Sequence, residues 1–205
     1  MQTETFLPPS PGLRLGPILR FQHYRDLSQI APPIREAAEA MAAMAEKLAD
    51  PRVVFLTKEV ERVGPDTLTL SGGPTFHGRC FRTHVVSARE VVCFVVTIGG
   101  ALDERVAEMA DGHELLEALF LDTAGWLAIE DAARAFRSHL RGRVRPRGLR
   151  VSPRLGPGYL DWPLGEQTAL LGLFAEDSLP VTLSEYSVMT PKKSISGLFG
   201  LLSDS

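Results

Sequence analysis

The chain is poor in the residue types that mark several protein classes. Only two cysteines, Cys80 and Cys93, stand in 205 residues. Two are too few for a disulfide framework or a four-ligand zinc site, and they fit a reduced, cytoplasmic setting. No apolar run approaches the ~18 residues that a membrane-spanning helix needs, so no membrane partner is expected. Positive charge is not in excess: the formal net charge is -3, whereas a general nucleic-acid binder carries a basic balance. The first dozen residues have neither a positive n-region nor a long apolar h-region, so no signal peptide is expected. His23, His77, His84 and His139 show no ligand spacing with one another or with the cysteines, and no metal site is read from them.

What is present is enough to build a core: 44% of the residues are apolar and 23% are charged. The length suits one domain. Residues 1–20 carry Pro8, Pro9, Pro11 and Pro17 and are expected to form an extended arm, with residues 21–205 as the domain. Residues 34–49 predict a helix: Pro32 and Pro33 open it, Asp50 and Pro51 close it, and Ile34, Ala38, Met41, Ala45 and Leu48 repeat at helical spacing. Residues 53–57, 59–63 and 67–70 predict strands separated by Gly/Pro turns. Residues 91–98 are continuously apolar and β-branched, which predicts a central strand buried on both faces.

Helices are expected over 101–110 and over 113–141, the second long and interrupted only by Gly125. A short helix over 165–175, a strand over 181–185 and a loop from Pro191 onward complete the reading. Strands and helices mix without a βαβ rhythm. The expected fold is therefore α+β, a single domain with a twisted, mainly antiparallel sheet flanked by helices, one of them long.

Several segments admit a functional and a plain reading. Thr97, Ile98, Gly99 and Gly100 join a strand to a helix, a common place for an anion site. Two glycines with no Lys-Ser/Thr following do not make a P-loop, and a plain turn is expected. Gly125 in mid-helix costs ~1 kcal/mol against alanine, so it predicts close packing against another backbone or against a ligand. The arginines at 134, 137, 141, 143, 145, 147, 150 and 154 form either a solvated helix end or a docking patch for an acidic partner. Asp111-Gly112-His113 begins like the D-x-H-x-x-G loop that ligates cobalt in corrinoid-binding modules. Leu116 stands at its glycine position, so Asp111 is expected as a helix cap and His113 as an ordinary helix-start residue.

The stretch from 154 to 163 is the most informative. Arg154 precedes Tyr159 by five residues across a turn containing Gly156, Pro157 and Gly158, with Trp162 and Pro163 beyond. A guanidinium pairs with a carboxylate and aromatic rings stack, so such a turn suits a flat or zwitterionic ligand.

These residues resemble the activation domain of vitamin B12-dependent methionine synthase, in its short free-standing form. The pattern R-x-x-x-G-Y is met from Arg154 to Tyr159. A later pattern is met at Glu185, Met189, Pro191, Ser194, Ser196 and Gly197. Thr97 to Leu102, with Asp122, Gly125 and Glu130, add to the likeness, which covers roughly residues 85–200.

The resemblance implies a domain that binds S-adenosylmethionine above a corrinoid. It restores an oxidised cobalamin by methyl transfer, with an electron from flavodoxin or a similar donor. It implies Arg154 on the methionine end of the ligand and Gly156 offering backbone. It places Tyr159 at the reacting junction, and Glu130 stands as a further ligand residue. Trp162, Ser194, Ser196 and Gly197 would then face the corrinoid or the partner. The cobalamin would be held by a separate corrinoid-binding methyltransferase protein, because the sequence has no intact cobalt-ligating motif. The chain departs from the family pattern at Gly148, Arg134 and Phe199, where acids and a tyrosine are usual. The missing acids favour an alternative from another class: a module that caps a corrinoid protein without S-adenosylmethionine chemistry.

Overall fold

The computed structural model describes residues 3–175 and 178–203. In chain order the elements are β1 (Glu4–Phe6), α1 (Leu15–Phe21), α2 (Pro32–Leu48), β2 (Arg52–Val63), β3 (Thr67–Leu70), β4 (Thr75–His77), α3 (Cys80–Val85), β5 (Glu90–Thr97), α4 (Ala101–Asp111), α5 (Leu115–Val144), β6 (Leu149–Val151), α6 (Gln167–Leu171), β7 (Thr182–Leu183), β8 (Met189–Thr190) and β9 (Ser194–Ser203). The fold is α+β. Seven strands form one sheet in the order β4-β3-β2-β5-β9-β6, with β1 added on β2, and β7 and β8 form a separate hairpin. Every pairing is antiparallel.

Alternation along the strands divides the core between the two faces. Phe55, Val92, Phe94, Val96 and Phe199 point to a layer built with α2 and α5. Leu56, Val91, Cys93, Val95 and Leu198 point to the opposite layer with Phe76, Phe81 and Trp162. β5 lies between β2 and β9 and is buried on both faces, as its unbroken apolar run predicts. The long helix α5 spans 30 residues and covers one face. Among the described residues no helix is long and apolar enough to cross a membrane.

Gly125 packs against side chains rather than backbone. A methyl there would come within 2.7 Å of Leu102 and 3.1 Å of the Lys193 stem. The room is used by Lys193, which is buried and donates from Nζ to Asp122 at 2.6 Å, with Asp103 at 3.5 Å. Asp122, Gly125 and Lys193 together fasten the entry of β9 to α4 and α5.

The structure corrects four expectations. The N-terminal stretch is not extended throughout: Glu4–Phe6 pair with β2 as β1, but Leu15–Phe21 form α1, which buries Ile18 and Leu19. Pro17 sits in the first turn of α1, where its missing N–H has no helical acceptor to lose. The strands expected over 53–57 and 59–63 are one continuous β2. Asp111 is the last residue of α4 rather than a cap, and His113 occupies the left-handed region (φ 63°) in the bend before α5.

The loop expected from Pro191 is mostly β9, a ten-residue strand between β5 and β6. Its small residues mark close packing rather than a loop. A methyl at Gly200 would lie 2.6 Å from Val85 of α3.

Both cysteines are buried in the Trp162 layer, and burial pushes each thiol up to about 12. The thiolate is the reactive form. Neither thiol is therefore expected to react with Ellman's reagent at pH 8 in the native state, and both should react once the chain is unfolded. A native-state titre of one thiol per chain would contradict this burial.

Candidate functional site

The site forms where the 154–159 turn lies across β9 and faces α5. Glu130, Ala133, Arg134 and Arg137 recur at helical spacing, so they share one face of α5. With Arg154 and Phe199 they line a cavity of ≈ 270 Å³. Arg154 reaches Glu130 with both terminal nitrogens, Nη2 to Oε1 at 2.9 Å and Nη1 to Oε2 at 3.3 Å. A two-bonded pair of this kind fixes orientation as well as charge. The arginine is 27% exposed and the carboxylate 43%, so both still open onto the cavity. A second cavity, ≈ 330 Å³, adjoins it between residues 12–17 and α5, and Arg134 lines both.

The turn owes its position to two glycines. Leu155 and Leu198 exchange backbone hydrogen bonds at 3.1 and 2.8 Å. A methyl at Gly197 would come within 2.2 Å of the Leu155 carbonyl, and one at Gly156 within 2.8 Å of the Ser196 carbonyl. Gly156 therefore serves first as the point of contact with β9. The turn then closes through Tyr159 N–H to the Gly156 carbonyl at 3.1 Å and Gly158 N–H to the Trp162 carbonyl at 2.9 Å, with Gly158 at φ 84°. Tyr159 leaves this frame 61% exposed.

The other residues expected to face a partner lie inside the molecule. Trp162 is 2% exposed, packs between Phe76 and Phe81 at 5.1 and 5.0 Å, and donates from Nε1 to Glu166 at 2.9 Å. Ser194, Ser196 and Gly197 are buried in β9. Ser194 donates to the Pro191 carbonyl at 2.7 Å, and its Oγ lies 2.9 Å from Thr97 Oγ1. Ser196 donates to Gln167 Oε1 at 3.0 Å, and Gln167 donates to the Ser187 carbonyl at 2.9 Å. That chain of bonds ties the β7–β8 hairpin to β9 through α6. It explains why serines here resemble a loop in sequence and act as internal fasteners in the fold.

The segments around this link carry exposed apolar side chains that the sequence reading missed: Leu160, Leu164, Tyr186 and Val188. Nothing in their spacing marks them, because they come from two turns far apart in the chain.

Asp161 holds the start of α3. It accepts from the backbone N–H groups of Arg79 at 2.7 Å and Cys80 at 3.0 Å, and these bonds hold its carboxyl down to about 2. Four of the eight arginines in the run form ion pairs within the fold. Arg143 pairs with Glu4, Arg147 with Glu90, Arg134 with Asp131 and Arg154 with Glu130. Thr97 to Gly100 form a plain turn, with the Gly99 N–H donating to Thr97 Oγ1 at 3.2 Å.

This architecture has a counterpart among solved structures, in which an α+β domain of the same plan serves as a reactivation domain. That counterpart is the crystal structure of the MetH reactivation domain bound to AdoHcy. It matches with a TM-score of 0.64 over 100% of this chain and 80% of that one, at 17% sequence identity. At that identity the likeness is one of fold. No protein-family model and no curated protein matches the chain in sequence.

Proposed function

We propose that the chain is a reactivation subunit for a corrinoid-dependent methyltransferase. It would hold S-adenosylmethionine in the cavity beside α5 and offer it to cobalamin carried by a partner protein. The observation that supports this most is the Arg154–Glu130 pair opening onto a cavity, in a fold whose solved counterpart is bound to AdoHcy.

The residues fit such a ligand. Its amino-acid end carries a carboxylate and an ammonium, and the pair presents one charge of each sign. The smaller cavity, ≈ 270 Å³, suits that end alone. The adjoining cavity, with Leu13 and Leu127 in its wall, has room for the nucleoside. When bound, S-adenosylmethionine supplies a sulfonium methyl group. The chain's contribution is positioning, which in favourable cases is worth several orders of magnitude in rate.

Tyr159 extends an aromatic face from a turn braced at both ends. At 61% exposure it can make contact at the ligand–corrinoid junction. The exposed Leu160, Leu164 and Tyr186 suit a corrinoid-binding partner, and flavodoxin or a similar donor would supply the electron.

Calorimetric titration with S-adenosylmethionine and S-adenosylhomocysteine tests the reading. Binding of both is expected, and Arg154→Ala should weaken it about 10- to 100-fold, since a hydrogen bond to a charged group is worth about 1.5–3 kcal/mol. No heat at millimolar ligand would sink the reading. The capping module is the second reading. It is favoured by Arg154 already having both terminal nitrogens on Glu130, for which a ligand must compete. It predicts association with a corrinoid protein and no affinity for either nucleoside.

A further inference from the structure

Three guanidinium groups and one carboxylate line the cavity beside α5: Arg134, Arg137 and Arg154 against Glu130. Two of the three are satisfied. Arg154 is held by Glu130, and Arg134 by Asp131, with the Glu130 carbonyl 3.4 Å from its Nε. Arg137 differs. Its Nη2 lies 3.4 Å from the Val151 carbonyl, a long bond to a neutral acceptor. Its Nε is buried and has no acceptor among the described residues. No carboxylate lies within salt-bridge distance of it among those residues. The next charge along the helix is Arg141, another cation.

The Arg137 side chain as a whole is half-buried, but an N–H shut off from water without an acceptor loses its hydration with no replacement, so buried donors of this kind are normally paired. Phe199 makes one wall of the cavity apolar and is itself buried, which strengthens any ion pair formed beside it.

We infer that Arg137 is the anion-binding residue of this cavity, and that the ligands it takes present a carboxylate or phosphate group to this guanidinium. The inference shares the cavity with the proposed function but does not depend on its ligand. Arg154 keeps its place in the pair that meets the ligand's amino-acid end, and Arg137 adds the guanidinium, free of any carboxylate among the described residues, that receives the ligand's negative charge. Burial and Arg141 both press the Arg137 pKa downward, and a bound anion opposes both effects. Ala133 contributes the space: a larger side chain one turn before Arg137 would fill the approach.

The guanidinium Nε–H groups give separate nitrogen–proton NMR signals, so the inference can be read on the unaltered chain. Arg137→Lys and Arg154→Lys would assign the two signals by their loss. Titration with S-adenosylhomocysteine, and separately with inorganic phosphate, is expected to move the Arg137 signal saturably. Arg137→Gln should weaken S-adenosylhomocysteine binding at least tenfold.

Should phosphate move the Arg137 signal while the nucleoside does not bind at all, the anion site stands and the proposed function falls. If the nucleoside binds but only the Arg154 signal moves, the inference is overturned and the proposed function stands. A signal unmoved by either probe also overturns it.

Discussion

Gly197→Val is expected to lower the melting temperature by roughly 8–16 °C and to abolish ligand binding at the cavity. The added Cβ would sit 2.2 Å from the Leu155 carbonyl oxygen and 3.2 Å from its carbon. Backbone atoms cannot rotate away as a side-chain tip can, so the turn must lift from β9. That motion breaks the reciprocal Leu155–Leu198 bonds, each costing about 1–3 kcal/mol if its groups stay buried. Overpacking adds about 1–3 kcal/mol; the terms span about 3–9 kcal/mol, and the lower end, about 4 kcal/mol, applies because the lifted turn lets water reach the freed groups. Arg154 is the residue before Leu155, so the same motion withdraws the guanidinium from Glu130. Calorimetric melting and ligand titration of the one variant check both halves. A melting temperature within about 2 °C of wild type would refute the close approach of turn and strand.

The second large effect is at Trp162. Trp162→Ala should cost about 3–5 kcal/mol, as expected for removal of a large buried aromatic. The indole fills the space between Phe76 and Phe81 and satisfies Glu166. Glu166 also accepts from the His77 backbone N–H at 2.9 Å, so its loss would loosen β4 as well. Trp162→Phe should cost less, because most of the packing volume stays and only the Nε1 bond is lost. Chemical denaturation of the two variants against wild type gives the comparison. A surface residue awaiting a partner would behave in the opposite way. Trp162→Ala would then melt like wild type and lose only docking, and that result would restore the partner-facing reading of this tryptophan.

These two residues mark where local sequence pattern stops being informative. The continuous apolar run of β5 and the 3.6-residue rhythm of α2 are local patterns, and the structure follows them with shifts of one or two residues at the ends. The pairing of Arg154 with Glu130 joins two residues that had been singled out for separate reasons. Trp162, Ser196 and Gly197 were misplaced because their environments come from distant segments. An aromatic beside a Pro/Gly turn reads as exposed until β4 and α3 are packed over it. A Ser-x-Ser-Gly stretch reads as a loop until one finds that the serine bonds Gln167 and the glycine admits the backbone of Leu155. Arg137 is legible in the sequence only as one arginine among eight, since what separates it is a buried Nε with no acceptor among the described residues, which only the three-dimensional packing creates.

β9 pairs with β5 across about a hundred residues of intervening chain, which carries a kinetic consequence. Contacts this distant in sequence slow folding relative to helical proteins of similar stability, because the chain must close the loop before the pairing rewards it. The 154–159 turn has no hydrogen-bonded seat until β9 is in the sheet, since Leu155 bonds Leu198 and Gly156 rests on Ser196. The turn's wall of the cavity is therefore expected to form only after β9 has joined the sheet. A ligand that occupies the cavity during refolding should leave the folding rate nearly unchanged and slow unfolding instead.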